Sequence, residues 1–131
     1  MNKQELIKLI NTLKISKSEF WVICSGSLVL RDLCLEAADL DIAVTNIGME
    51  QLRQNYELKK IKERFYSIGD NIECVDVGKK IHQKYQPEKI GDIYVQNIFD
   101  YLEYLEASNR QKDKDRIPMV KTYIKEKYNK N

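Results

Sequence analysis

One stretch limits the folds open to this chain: Phe20 to Thr45, FWVICSGSLVLRDLCLEAADLDIAVT. The apolar run Phe20–Cys24 reads as a strand, Gly26-Ser27 as the turn that ends it, and Leu28–Leu33 as a short helix. After eleven intervening residues a second strand begins at Asp39. Side chains alternate along a strand, so Asp39 and Asp41 project to one side and Leu40, Ile42 and Val44 to the other, into a core. Strands disfavour aspartate, and a pair at alternate positions among Leu, Ile, Ala and Val needs a reason. Two carboxylates on one face repel unless a counter-charge joins them; a divalent cation is the usual remedy, and hard oxygen ligands suit Mg²⁺. Upstream, Gly26 permits close backbone approach, Ser27 supplies a hydroxyl and an N–H, and the helix N-terminus behind them favours an anion. Together these parts suit a metal-bound polyphosphate.

The rest of the chain supplies the frame. Leu6, Ile7, Leu9, Ile10 and Leu13 repeat at helical spacing, which predicts a helix over 2–14 that packs on the sheet. Ser16 and Ser18 break it. Asn46 suits the cap of a short helix through Arg53. Tyr56–Ile61 reads as an edge strand, Phe65–Ile68 as another, Gly69-Asp70-Asn71 as a turn, and Asn71–Val77 as a third important strand. A short strand is expected within Lys89–Val95, then a helix from about Gln96 to Asn109 with Ile98, Leu102 and Leu105 as its stripe. Pro118 is tolerated in a first helical turn, which favours a last helix capped by Asp115 and burying Met119, Val120, Tyr123 and Ile124. Arg31 is expected in a surface ion pair.

Length and composition exclude more than they specify. The 131 residues suit a single domain (1–131), with a core of about 20–95 and a helical part of about 96–131. No run of eighteen apolar residues predicts a membrane helix, and the N-terminus has no signal-like apolar core, so a cytoplasmic protein is the default expectation. Cys24, Cys34 and Cys74 have no paired spacing and are expected to be buried and reduced. His82, the one histidine, is expected to be an exposed polar residue after a strand, which argues against zinc and a histidine-rich catalytic site. A net charge of +2 does not by itself imply nucleic acid. From Arg110 onward eight basic residues face three acidic ones, and of these Arg110 and Lys112 are the candidates for a triphosphate.

The pattern Gly26-Ser27 followed by Asp39-x-Asp41 on a strand resembles the DNA polymerase β-like nucleotidyltransferase superfamily. Arg110-x-Lys112-Asp113 looks like the element after the sheet in small members, including relatives of abortive-infection toxins; the second aspartate of that element falls at Arg116 here, or is displaced to Asp115. The resemblance implies an α/β (α+β) nucleotidyltransferase fold: a mixed sheet flanked by helices, with C-terminal helices at the nucleotide site. It implies transfer of a nucleotide from a nucleoside triphosphate, ATP among them, to an acceptor hydroxyl with release of pyrophosphate. Asp39 and Asp41 would hold two Mg²⁺ ions with a third carboxylate from a later strand. Asp76 and Glu73 are the candidates, on opposite faces because they are three apart; Asp76 is preferred because valines flank it as Leu40 and Ile42 flank Asp41. Gly26 and Ser27 would hold the outer phosphates, and Arg110 and Lys112 would neutralise them. The acceptor can be a small molecule, a protein or an RNA, with a homodimer mate or protein partner completing its site. The alternative is a catalytically silent nucleotide-binding or interaction module, such as one half of a toxin–antitoxin pair.

Overall fold

The computed structural model describes residues 1–79 and 84–128; His82 lies outside them. Helix α1 (Lys3–Thr12) starts in a capping box, in which Asn2 Oδ1 accepts from the Glu5 N–H and the Asn2 N–H donates to Glu5 Oε1. Its Leu6 and Ile10 are buried, a contribution of about 1.5–3 kcal/mol each by area. A single 3₁₀ turn (Lys17–Glu19) leads into β1 (Phe20–Val22), then α2 (Cys24–Leu30), β2 (Leu40–Thr45) and α3 (Asn46–Asn55). Strands β3 (Lys59–Lys62), β4 (Phe65–Ile68) and β5 (Ile72–Gly78) follow, then β6 (Glu88–Ile90), β7 (Ile93–Val95), α4 (Ile98–Ala107) and α5 (Gln111–Tyr128).

The strands form one mixed seven-stranded sheet in the order β3-β4-β5-β2-β1-β7-β6. The central pair β2–β5 is parallel, β1 is antiparallel to β2 and parallel to β7, and the outer pairs are antiparallel. The main core gathers Leu6 and Ile10 of α1, Met49 and Leu52 of α3, and Phe20, Val22, Leu40, Ile42, Val44, Ile72, Cys74 and Val95 of the sheet. A second cluster joins Leu28 of α2 to Ile98, Tyr101 and Leu105 of α4 and Val120 of α5. That cluster fixes the two C-terminal helices to the end of the sheet where the candidate site lies.

Several local expectations change. Gly26-Ser27 is not a turn: both residues are buried inside α2. A Cβ on Gly26 would stand 2.9 Å from Val22 Cγ1, so glycine serves the close packing of α2 on β1. The expected strand within Lys89–Val95 is a hairpin, β6–β7, turning at Gly91 with φ +61°. Thr45, not Asn46, caps α3, its hydroxyl accepting from the Gly48 N–H. Helix α5 begins at Gln111 and carries Pro118 in its interior. The carbonyl that Pro118 leaves without an intrahelical donor belongs to Lys114, which is exposed and can bond water instead. Arg31 is buried rather than on the surface, donating to Glu88 Oε1 at 3.0 Å and to the Gln96 carbonyl at 2.8 Å.

Candidate active site

A cleft of about 560 Å³ opens between the sheet and the C-terminal helices. Its floor is acidic. Asp39, just before β2, and Asp41, within it, both line the cleft, as alternation predicts. The parallel register sets Asp41 beside Glu73 of β5, and Glu73 lines the cleft too. Asp76 does not join them. It pairs with Val44 on the opposite face, its N–H donates to the Arg64 carbonyl, and its Oδ1 accepts from the Gly78 N–H at 2.9 Å, closing the end of the strand. Of the two acids the sequence offers on this strand, Glu73 lines the cleft with the aspartate pair and Asp76, the preferred one, does not.

The charges on this floor are unbalanced. Burial, then Glu73 and then Asp39, push the Asp41 carboxyl up to about 6. Its Oδ1 is buried with no hydrogen-bond partner among the described residues. Among the described residues no three His, Cys, Asp or Glu side chains form a ready-made metal cage. Mg²⁺ does not require one, because it is usually held by one or two carboxylates together with waters and substrate phosphates. An orphaned carboxylate oxygen, a raised acid and an all-oxygen donor set therefore fit Mg²⁺.

Where β1 meets α2, the cleft is lined by Ile23, Cys24 and Ser25, and not by Gly26 or Ser27. Ser27 is fully buried and its hydroxyl donates to the Cys24 carbonyl at 2.6 Å. Cys24 has φ +59°, a left-handed conformation that costs a residue with a side chain about 1–2 kcal/mol. Its N–H is held by Gln96 Oε1 at 3.1 Å. The backbone position that glycine would suit is thus Cys24, two residues before the Gly-Ser pair. Burial and Asp41 push the Cys24 thiol up to about 11, so it is not a ready nucleophile.

The facing wall comes from α4 and α5. Arg110 and Lys112 line the cleft, together with Arg116 and with Tyr101 and Tyr104, which the sequence did not single out as site residues. Asp113 is 1% exposed and accepts from Arg110 Nε and Nη2 at 2.9 and 3.1 Å and from Ser108 Oγ at 2.7 Å. Those bonds, Arg110 first, hold its carboxyl below the usual carboxylate range. Arg116 Nη1 donates to the Tyr101 hydroxyl at 3.1 Å. Asp115, whose side chain accepts from Gln111, is not among the cleft residues. The third side is the β3–β4 hairpin, with the half-exposed Ile61 and Phe65.

The mixed seven-stranded sheet flanked by helices is a nucleotidyltransferase fold, as comparison with a solved structure shows. The solved structure of ANT(2'')-Ia, an aminoglycoside nucleotidyltransferase in complex with adenylyl-2''-tobramycin, is similar to this chain with a TM-score of 0.54. The match covers 94% of this chain and 86% of that one at 12% sequence identity, so the likeness is one of fold. No protein-family model matches the chain, and no curated protein matches it in sequence.

Proposed function

We propose that the chain is a Mg²⁺-dependent nucleotidyltransferase, which moves a nucleoside monophosphate from a nucleoside triphosphate to an acceptor hydroxyl and releases pyrophosphate. The observation that carries this reading is that Asp39, Asp41 and Glu73 line one cleft, in which a buried oxygen of Asp41 has no hydrogen-bond partner among the described residues. Asp41, with one of its acidic neighbours Asp39 and Glu73, would hold Mg²⁺ together with waters and substrate phosphates; when bound it supplies Lewis-acid stabilisation of charge developing on the phosphates. Arg110, Lys112 and Arg116 face that floor and offset the negative charge of the triphosphate and of the departing pyrophosphate. Glu73, the exposed member of the acidic set, would accept the acceptor's proton. The acceptor enters past Ile61 and Phe65, opposite the basic wall. No step requires Asp76 or the Ser27 hydroxyl.

Calorimetric titration of each of the four ribonucleoside triphosphates with Mg²⁺ tests this, with Asp39→Ala and Asp41→Ala in parallel. Saturable binding that needs Mg²⁺ and disappears in both variants is the expected result, and pyrophosphate release on addition of candidate acceptors then identifies the acceptor. A folded wild-type chain that binds none of the four would overturn the reading.

A further inference from the structure

The helical wall carries two exposed planar groups, and the transfer step uses the face of neither. Tyr104 is 46% exposed. Its ring runs nearly parallel to that of Tyr101 in an offset stack, with centroids 6.1 Å apart and planes 10° apart. Tyr101 is 1% exposed and bonded to Arg116, so its ring is locked and Tyr104 packs beside it in the same orientation. Among the described residues Tyr104 carries no other ring and no cation. Phe65 across the cleft differs: the Lys62 ammonium lies over its ring, 4.5 Å from the centroid. Arg110, though its side chain is 66% exposed, is tethered to the buried Asp113. Asp113 takes two of its five N–H donors, and the others remain for a ligand.

An exposed aromatic ring packed beside a locked one suits a flat π-system in offset stacking, and every nucleobase presents one. The neighbouring guanidinium suits the sugar–phosphate side of the same ligand. The carboxylates across the floor suit the other end of the ligand, where cation-bridged phosphates belong. Resting on the nucleotidyl-transfer reading, we infer that Tyr104 is the platform on which the base of the bound nucleoside triphosphate stacks, with Arg110 turned toward its sugar and phosphates. Affinity for the nucleotide then has two separable parts, a stacking part at Tyr104 and a phosphate part at the acidic floor and basic wall.

The test compares two ligands by calorimetry, each with Mg²⁺: the tightest-binding of ATP, GTP, CTP and UTP, and inorganic tripolyphosphate. Tyr104→Ala is expected to weaken the nucleotide about tenfold or more while tripolyphosphate stays within about twofold. Tyr104→Phe, which keeps the ring, is expected to retain nucleotide affinity. Tyr104→Leu keeps an apolar contact on Tyr101 without an aromatic face; it should show the same selective loss even if alanine disturbs α4. Folded Ala and Leu variants that bind the nucleotide as tightly as wild type overturn the stacking site and leave the transferase reading standing. Equal weakening of both ligands also overturns it, because it assigns Tyr104 a general role in cleft shape. A wild type that binds neither ligand removes both readings together.

Discussion

On one face of the β2–β5 ladder, Leu40, Ile42, Val44, Ile72 and Cys74 are buried under α1 and α3. On the other, one residue along each strand, Asp41 and Glu73 stand over the cleft. The backbones and the hydrogen bonds are shared, and only the direction of the side chain differs. The apolar face gains from every methylene it hides. The acidic face loses stability by pressing like charges together in a half-buried place, and a cation with a polyphosphate would reverse that loss. A strand pair can therefore fix its register with one face and keep the other face electrostatically unsatisfied for a ligand.

The largest expected difference between the faces is in ligand binding. Asp41→Asn should weaken Mg²⁺-dependent nucleotide binding at least about 100-fold, more than the loss of a supporting group around a metal ligand, and calorimetry would read it. Ile42→Ala, on the next residue, should instead lower unfolding stability by about 2–5 kcal/mol in a denaturant titration, with nucleotide affinity retained under native conditions. If Ile42→Ala removed binding without destabilising the chain, the division of labour between the faces would be wrong.

Glu73 and Asp76 sharpen the same comparison within one strand. Glu73→Gln should weaken Mg²⁺ and nucleotide binding about tenfold, whereas Asp76→Asn should leave them within about threefold. The reverse order would restore Asp76 as the third carboxylate. The smallest effect is on stability against pH. The folded Asp41 carboxyl titrates at about 6 against an ordinary 3.8, so the folded state holds its proton more tightly than the unfolded chain does. Without a divalent cation, stability present below pH 4 should therefore fall as pH rises through about 6. The expected size is about 1 kcal/mol once solvent screening of this half-exposed group is allowed for. Thermal melts with EDTA should show that fall in wild type and not in Asp41→Asn, and Mg²⁺ should cancel it.

Much of this architecture was legible in the chain because the signals were local. The spacing of Leu6 and Ile10 marks α1, and Phe65–Ile68 is a strand with the expected bounds. The alternation around Asp39 and Asp41 put both acids on one side, and both line the cleft. The third carboxylate was harder to read. Ile72 and Cys74 give one apolar phase and Val75 and Val77 the other, so the sequence of β5 points inward twice. Pairing decides between them: Leu40 and Ile42 lie opposite Ile72 and Cys74, and that match buries the first phase and turns Glu73 to the cleft.

Gly26-Ser27 misleads for a related reason. A Gly-Ser pair after an apolar run has the composition of a turn, but the turn into α2 is made at Cys24, in a conformation that its residue type does not advertise. Glycine at position 26 answers to Val22 across a helix–strand contact instead. Tyr101 and Tyr104 were likewise invisible as site residues. Helical spacing marks a stripe as apolar, but it does not say which rim of the stripe meets a sheet's acidic edge. The sequence by itself determined the periodicities, and with them the elements and the acid pair. Tertiary structure alone decided which face of β5 and which end of α4 reach the cleft. Those choices depend on contacts between distant segments, such as Asp41 with Glu73, Arg31 with Glu88, and Arg116 of α5 with Tyr101 of α4, whose free energy no single segment carries.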